Sequence, residues 1–220
     1  MPGWLFFLLL SSIILGATIG IVRYKNLDTA MCMIVMLLIL SFVDELGSYM
    51  AVIHGKYTAR YIIFHIYGIL QAFLFTAYFI YAIKPFRHRM MIAFSALFWP
   101  AIGMLNIMFL QPFNELNSNM MMAESCSFTT LSLYYMYYLL KDERIENIFS
   151  FPHFWMTFII LISWSSSIFF WAFIQILYLS QWQHIVVVFY AQAALNILVY
   201  VSMAAVLFFY PANKLLNEKH

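Results

Sequence analysis

Three residues carry acid–base or ligating chemistry where long apolar segments normally carry none: Glu45, His65 and Glu124, with Asp44 beside the first. An ionisable side chain at the middle of a membrane helix costs about 2.5–3.5 kcal/mol, so it calls for a partner or a use. Two carboxyls and an imidazole in such a setting suit proton coupling, cation binding or recognition of a cationic or hydroxylated solute. The amides of Gln71, Gln192 and Asn196 would extend such a site. Helical spacing gathers these groups into stripes. Ser41, Glu45 and Ser48 share one face, as do Tyr61, His65, Gly68 and Gln71. Ser163, Ser167, Trp171 and Gln175 step by one turn, and Gln192 lies one turn from Asn196. Such stripes face other helices, because lipid offers them no hydrogen bonds. The plainer reading of the Ser, Asn and Gln residues is interhelical glue worth under about 1–2 kcal/mol each. Asp44, one residue round the helix from Glu45, reads as a packing or interface group, and a structural Glu–His pair is the plain alternative for the carboxyls.

The elements that must position these groups follow from composition. The chain has 220 residues, 65% hydrophobic and 9% charged, against about 25% charged in a soluble domain. A soluble core is excluded. The net charge of +2 gives no reason to expect a nucleic-acid partner. Seven runs reach the roughly 20 apolar residues a spanning helix needs: 3–22, 29–54, 58–83, 90–110, 118–140, 154–179 and 184–209. The expected fold is all-α, a single integral membrane bundle of seven transmembrane helices over residues 1–220. Loops as short as His54-Gly55-Lys56 make successive helices antiparallel neighbours. Positive charge follows the first run, at Arg23 and Lys25, and none precedes it, so the run reads as a helix rather than a signal peptide.

Basic residues set the orientation. With the N-terminus outside and the C-terminus cytoplasmic, nine of the eleven Lys and Arg fall on the inner side, and only Lys56 and Arg60 fall outside. In that orientation Glu45, His65, Glu124 and Gln192 all lie roughly 9–14 Å below the outer ends of their helices at 1.5 Å per residue. One partly hydrated pocket open to the outside is the expectation. Tyr and Trp near the run ends, Trp182 and Tyr210 among them, read as an interfacial belt. Cys32 and Cys126 fall at different depths on different helices, so no disulfide is expected.

Asp44-Glu45-Leu46, His65-Ile66-Tyr67, Ser165-Ser166-Ser167 and Leu195-Asn196-Ile197 resemble segments of small seven-helix membrane proteins of Bacteroidetes type. That resemblance implies a bacterial inner-membrane location but no activity. There is also a likeness to the seven-helix input modules of bacterial sensor kinases, although no kinase domain is present in these residues. No Lys occurs between 184 and 209 to form a retinal Schiff base.

Three functions remain. The first is binding or permeation of a small solute or ion at Glu45, His65, Glu124, Gln71, Gln192 and Asn196. The second is a receptor-like or accessory subunit in signalling or defence, docking a cytosolic partner through Lys84, Arg87, Arg89, Lys141 and Arg144. The third is a metal-dependent intramembrane hydrolase built on Glu45, His65, Glu124 and His184. The first two need no cofactor and no catalytic residue.

Overall fold

A computed structural model describes residues 3–83, 86–96, 98–141, 147–179 and 185–211. The expected docking residues Lys84 and Arg144 and the expected ligand His184 lie outside them. The described residues form helices α1 (Gly3–Val22), α2 (Thr29–Ile53), α3 (Tyr57–Ala82), α4 (Phe86–Ala96), α5 (Phe98–Leu105), α6 (Ser118–Lys141), α7 (Pro152–Leu179) and α8 (Ile185–Phe209), with no strand among them. Asp28 caps α2, its carboxylate accepting from the Met31 amide at 2.9 Å, and Gly55 turns the chain into α3 at φ 69°.

The run expected as one helix over 90–110 falls on α4, α5 and a π turn at Asn106–Leu110, and Arg87–Leu110 taken together is one stretch long and apolar enough to cross a membrane. The π turn closes through the Gln111 amide on the Asn106 carbonyl at 2.7 Å.

Six stretches are long and apolar enough to cross a membrane: Gly3–Val22, Thr29–Ile53, Tyr57–Ala82, Arg87–Leu110, Pro152–Ile174 and Val186–Phe209. Large apolar side chains such as Phe7, Met36, Val43, Leu105 and Phe169 stand exposed on their outer faces, an arrangement that water disfavours and lipid accepts. This is the pattern of an integral membrane protein. The seventh long helix, α6, is less apolar because Ser, Thr, Asn and Glu punctuate it. Ser125, Ser127 and Thr130 bond the carbonyl one turn back, as hydroxyls in an apolar setting do, and α6 packs within the bundle against α3 and α7.

The helices close into a ring. α1 packs on α2 and α8, α2 on α3, α3 on α6, α6 on α7 and α7 on α8. α4 and α5 lie against α3, fastened by Trp99 donating to Thr76 at 3.2 Å and by a hydrogen bond between His88 and Tyr134 of α6. Gly20 lets α1 meet α2, with no side chain to hold Val35 away. The ring has one tightly sewn end. Arg23 donates to the Tyr210 carbonyl at 2.5 Å, His153 meets Asp28 at 2.7 Å, and Tyr78 meets Thr157 at 3.1 Å.

That sewn end has a pH signature. Burial pushes the Asp28 carboxyl up, but hydrogen bonding and charge from His153, the Met31 amide and Tyr210 outweigh it and hold the carboxyl below its usual 3.8. Such a group stabilises the fold above its unfolded pKa, and that contribution disappears as pH falls through the lower folded value. The protein in detergent is therefore expected to lose thermal stability below about pH 4, and Asp28→Asn, which keeps a capping oxygen but loses the charge facing His153, should flatten that limb. Unfolding curves for both proteins from pH 7 to pH 3 check this, and a limb unchanged in the variant would refute it.

Candidate functional site

α2 delivers the first polar groups to the inside of the ring. Counted from Ser41, Asp44 lies about 60° to one side and Glu45 about 40° to the other, at 100° per residue. A space facing Ser41 therefore receives both carboxyls. Asp44, expected to be turned away, lines the same space as Glu45. The correction has a simple cause: the face is centred on Ser41 rather than on Glu45.

The inner part of this space is a chamber of about 130 Å³. α3 contributes Phe64, Tyr67 and Gln71, α7 contributes Ser163, Trp164, Ser167 and Trp171, and α8 contributes Gln192, Asn196 and Tyr200. A wider, more open space of about 400 Å³ shares Asp44, Glu45, Trp171, Gln192 and Asn196 with it and adds Ser48, Arg60 and Tyr61. Those additions belong to the end where α2 finishes and α3 begins. The two spaces are the deep and outer parts of one cleft, with the carboxyls at the neck between them.

Hydrogen bonds fix much of the lining. Ser41 and Tyr67 pair at 3.0 Å, and the Tyr200 hydroxyl interacts with both. Gln192 donates to Asn196 Oδ1 at 3.2 Å and to Ser167 Oγ at 3.4 Å. Ser167 in turn donates to the Ser163 carbonyl at 2.9 Å. Two acceptors are left over: Asp44 Oδ1 and Gln71 Oε1 are buried with no donor. Buried polar atoms are rarely left so. Toward the sewn end the ring is filled by Ile34, Leu38, Tyr78, Phe79 and Leu207, none more than 0% exposed. The cleft has a packed floor.

His65 and Glu124 do not line either part of the cleft. The single pocket expected for Glu45, His65 and Glu124 is divided by α3. His65 and Gln71 are six residues apart, hence about 120° apart around the helix. Gln71 faces the cleft, whereas His65 and Gly68 face α6 and the chain that leads into it. Gly68 allows a close approach there: a Cβ at that position would lie 3.4 Å from Glu124 Oε1 and 3.3 Å from Asn117 Nδ2. His65 Nε2 meets the Glu115 carbonyl at 3.3 Å. Asn106 donates to Asn117 at 2.8 Å, and Gln111 donates to Ser118 at 2.7 Å. Met121 separates the two regions, lining the chamber on one side and standing 3.7 Å from the Gly68 Cβ position on the other.

Sequence reasoning therefore located Glu45, Gln71, Gln192 and Asn196 on one cleft. It missed Tyr67 and Tyr200, which aromatic-belt logic hides, and it missed Asn106 and Asn117. Asn106 had a signal, a lone amide within an apolar run. Among the described residues no three His, Cys, Asp or Glu side chains gather as a metal set would. Arg87 and Lys141 are exposed at the sewn end, and Lys141 stacks over Tyr137 at 4.8 Å. The chain matches no protein-family model, no curated protein and no solved structure, so the geometry of the cleft is what bears on its function.

Proposed function

We propose that this is a multi-pass membrane protein that binds a small organic cation in the cleft between α2, α3, α7 and α8, entered from the non-cytoplasmic side. The observation that carries this reading is the surplus of acceptors. Asp44 Oδ1 and Gln71 Oε1 are buried with no donor of their own, on residues that line the chamber. An ammonium group brings donors and no acceptor. The formal charges agree. Two carboxyls and one guanidinium, Arg60, line the cleft, which leaves it one positive charge short of balance. Phe64, Tyr67, Trp164, Trp171 and Tyr200 line the chamber, and aromatic surroundings favour organic cations. A chamber of about 130 Å³ compares with the roughly 150 Å³ that admits benzene, so the ligand has only a handful of heavy atoms.

The packed floor favours reception over permeation. Through-passage would need the fully buried side chains around Leu38 and Phe79 to part. The receptor-like reading thus draws on the same cleft. The basic sewn end, with Arg87, Arg89 and Lys141, would be its cytoplasmic face, meeting anionic headgroups or a cytosolic partner.

Trp164 and Trp171 in the cleft wall provide the readout. Titration of the purified protein with ethanolamine or methylammonium is expected to change tryptophan fluorescence saturably, while acetate and glycerol leave it unchanged. Proteoliposomes should show no uptake of the labelled amine. Equal responses to all four solutes would overturn the binding reading, and saturable uptake would replace reception with transport.

A further inference from the structure

The outer part of the cleft has two unlike walls. α2 and α3 furnish one with Asp44, Glu45, Ser48 and Arg60. The other comes from α1, α7 and α8, and it carries Leu9, Phe170, Val186, Phe189 and Ala193. Residues three or four apart share a helix face, so the face of α8 that lines the cleft begins with Val186 and Phe189. Only a turn or more deeper does it present Gln192 and Asn196. Phe189 meets Phe170 edge-on at 5.6 Å, and the pair gives this wall an aromatic surface at the level where the cleft is widest.

A ligand that was all ammonium would leave the apolar wall unused. The chamber of about 130 Å³ limits only the charged end, and the outer part, at about 400 Å³, is roughly three times as roomy. Apolar atoms that displace water from such a wall are bound more tightly for it. The carboxyls at the neck decide which end of a ligand points inward. Arg60 lines the outer part and not the chamber, so a second ammonium placed there would share the space with a like charge. One positive end and one apolar end match the cleft, whereas two positive ends do not.

Given the cation-binding reading of the cleft, on which this rests, we propose that the ligand is an amphiphilic monoamine, an alkylamine or arylalkylamine. Its ammonium sits at the neck with Asp44 and Glu45, and its apolar chain lies along the α8 wall from Ala193 to Val186.

The tryptophan titration, extended to a series of amines, tests this. Affinity is expected to rise about threefold for each methylene laid against the wall, so hexylamine should bind about a hundredfold more tightly than methylammonium. Hexane-1,6-diamine should gain nothing over methylammonium, and hexanol, which shares the chain, should give no saturable response. Ala193 lines the outer part and not the chamber. Ala193→Leu should therefore erase the gain for hexylamine while methylammonium affinity stays within about twofold. Should that variant fail to fold, Phe189→Ser, at a position 40% exposed, takes its place and should weaken hexylamine alone by about tenfold. Methylammonium and hexylamine binding with equal affinity, a diamine as tight as hexylamine, or a hexyl gain untouched by these substitutions would overturn the amphiphile and leave the cation cleft standing. Failure of every amine to bind would remove both.

Discussion

Asp44→Asn with Glu45→Gln is expected to weaken amine binding by about a hundredfold or more. Each substitution preserves shape and removes a formal charge, so the cleft keeps its packing and loses its attraction for an ammonium. A hydrogen bond to a charged group contributes about 1.5–3 kcal/mol, and 1.4 kcal/mol is a tenfold change in affinity. Two such bonds lost together therefore give at least the stated factor. Gln71→Leu should cost less, about tenfold, because it removes a neutral acceptor. Glu124→Gln should leave amine affinity within about twofold, since Met121 stands between that carboxyl and the chamber. The tryptophan titration measures all three variants. A double variant that binds ethanolamine as tightly as the unaltered protein would show that the carboxyls do not face the ligand.

Gly20→Ala should be the most damaging small change in the bundle. A Cβ at Gly20 would lie 2.4 Å and 2.9 Å from the two Val35 methyls, and Val35 is itself 4% exposed. Neither branched methyl can turn away from a buried contact, so α1 and α2 must separate. Alanine is favoured over glycine within a helix by about 1 kcal/mol, but overpacking of this kind costs about 1–3 kcal/mol. The clash wins. Adding Val35→Ala removes both methyls and should recover most of the loss in Tm. Close approach of small residues is the normal means of joining helices in lipid, where burial of apolar surface gives no extra drive. If Gly20→Ala unfolds at the same temperature as the unaltered protein, the two helices do not pack as described.

The two expectations rest on different kinds of information. The pairing of α1 with α2 through Gly20 depends on which side of α1 turns inward, and α1 is apolar on all sides. Periodicity cannot orient such a helix. The cleft was closer to hand. Glu45, Gln71, Gln192 and Asn196 are visible as polar groups in apolar runs, and their type alone argues for an interior position. What escaped was the partition of α3. A stripe written as Tyr61, His65, Gly68 and Gln71 looks like one face, yet it spans about 120°. That width is enough for two neighbours, α2 on one side and α6 on the other.

Asp28 and His153 show a further kind of gap. They lie 125 residues apart, and both sit at helix ends where a charged residue draws no notice. Their pairing sews the closed end of the ring and so gives the cleft its floor.

Taken alone, the order of residues determined that this chain is helical, that most of its helices suit a bilayer, and which polar groups must avoid lipid. These are properties of single segments, set by the cost of exposing polar atoms to hydrocarbon. Tertiary structure decided which of those groups meet. It joined Asp44 to Glu45, set Glu124 and Asn117 against Gly68, and placed Met121 between the two sets. The reason is geometric: a helix repeats every 3.6 residues, so a small rotation about its axis, fixed by packing contacts with its neighbours, chooses the partner of every side chain it carries.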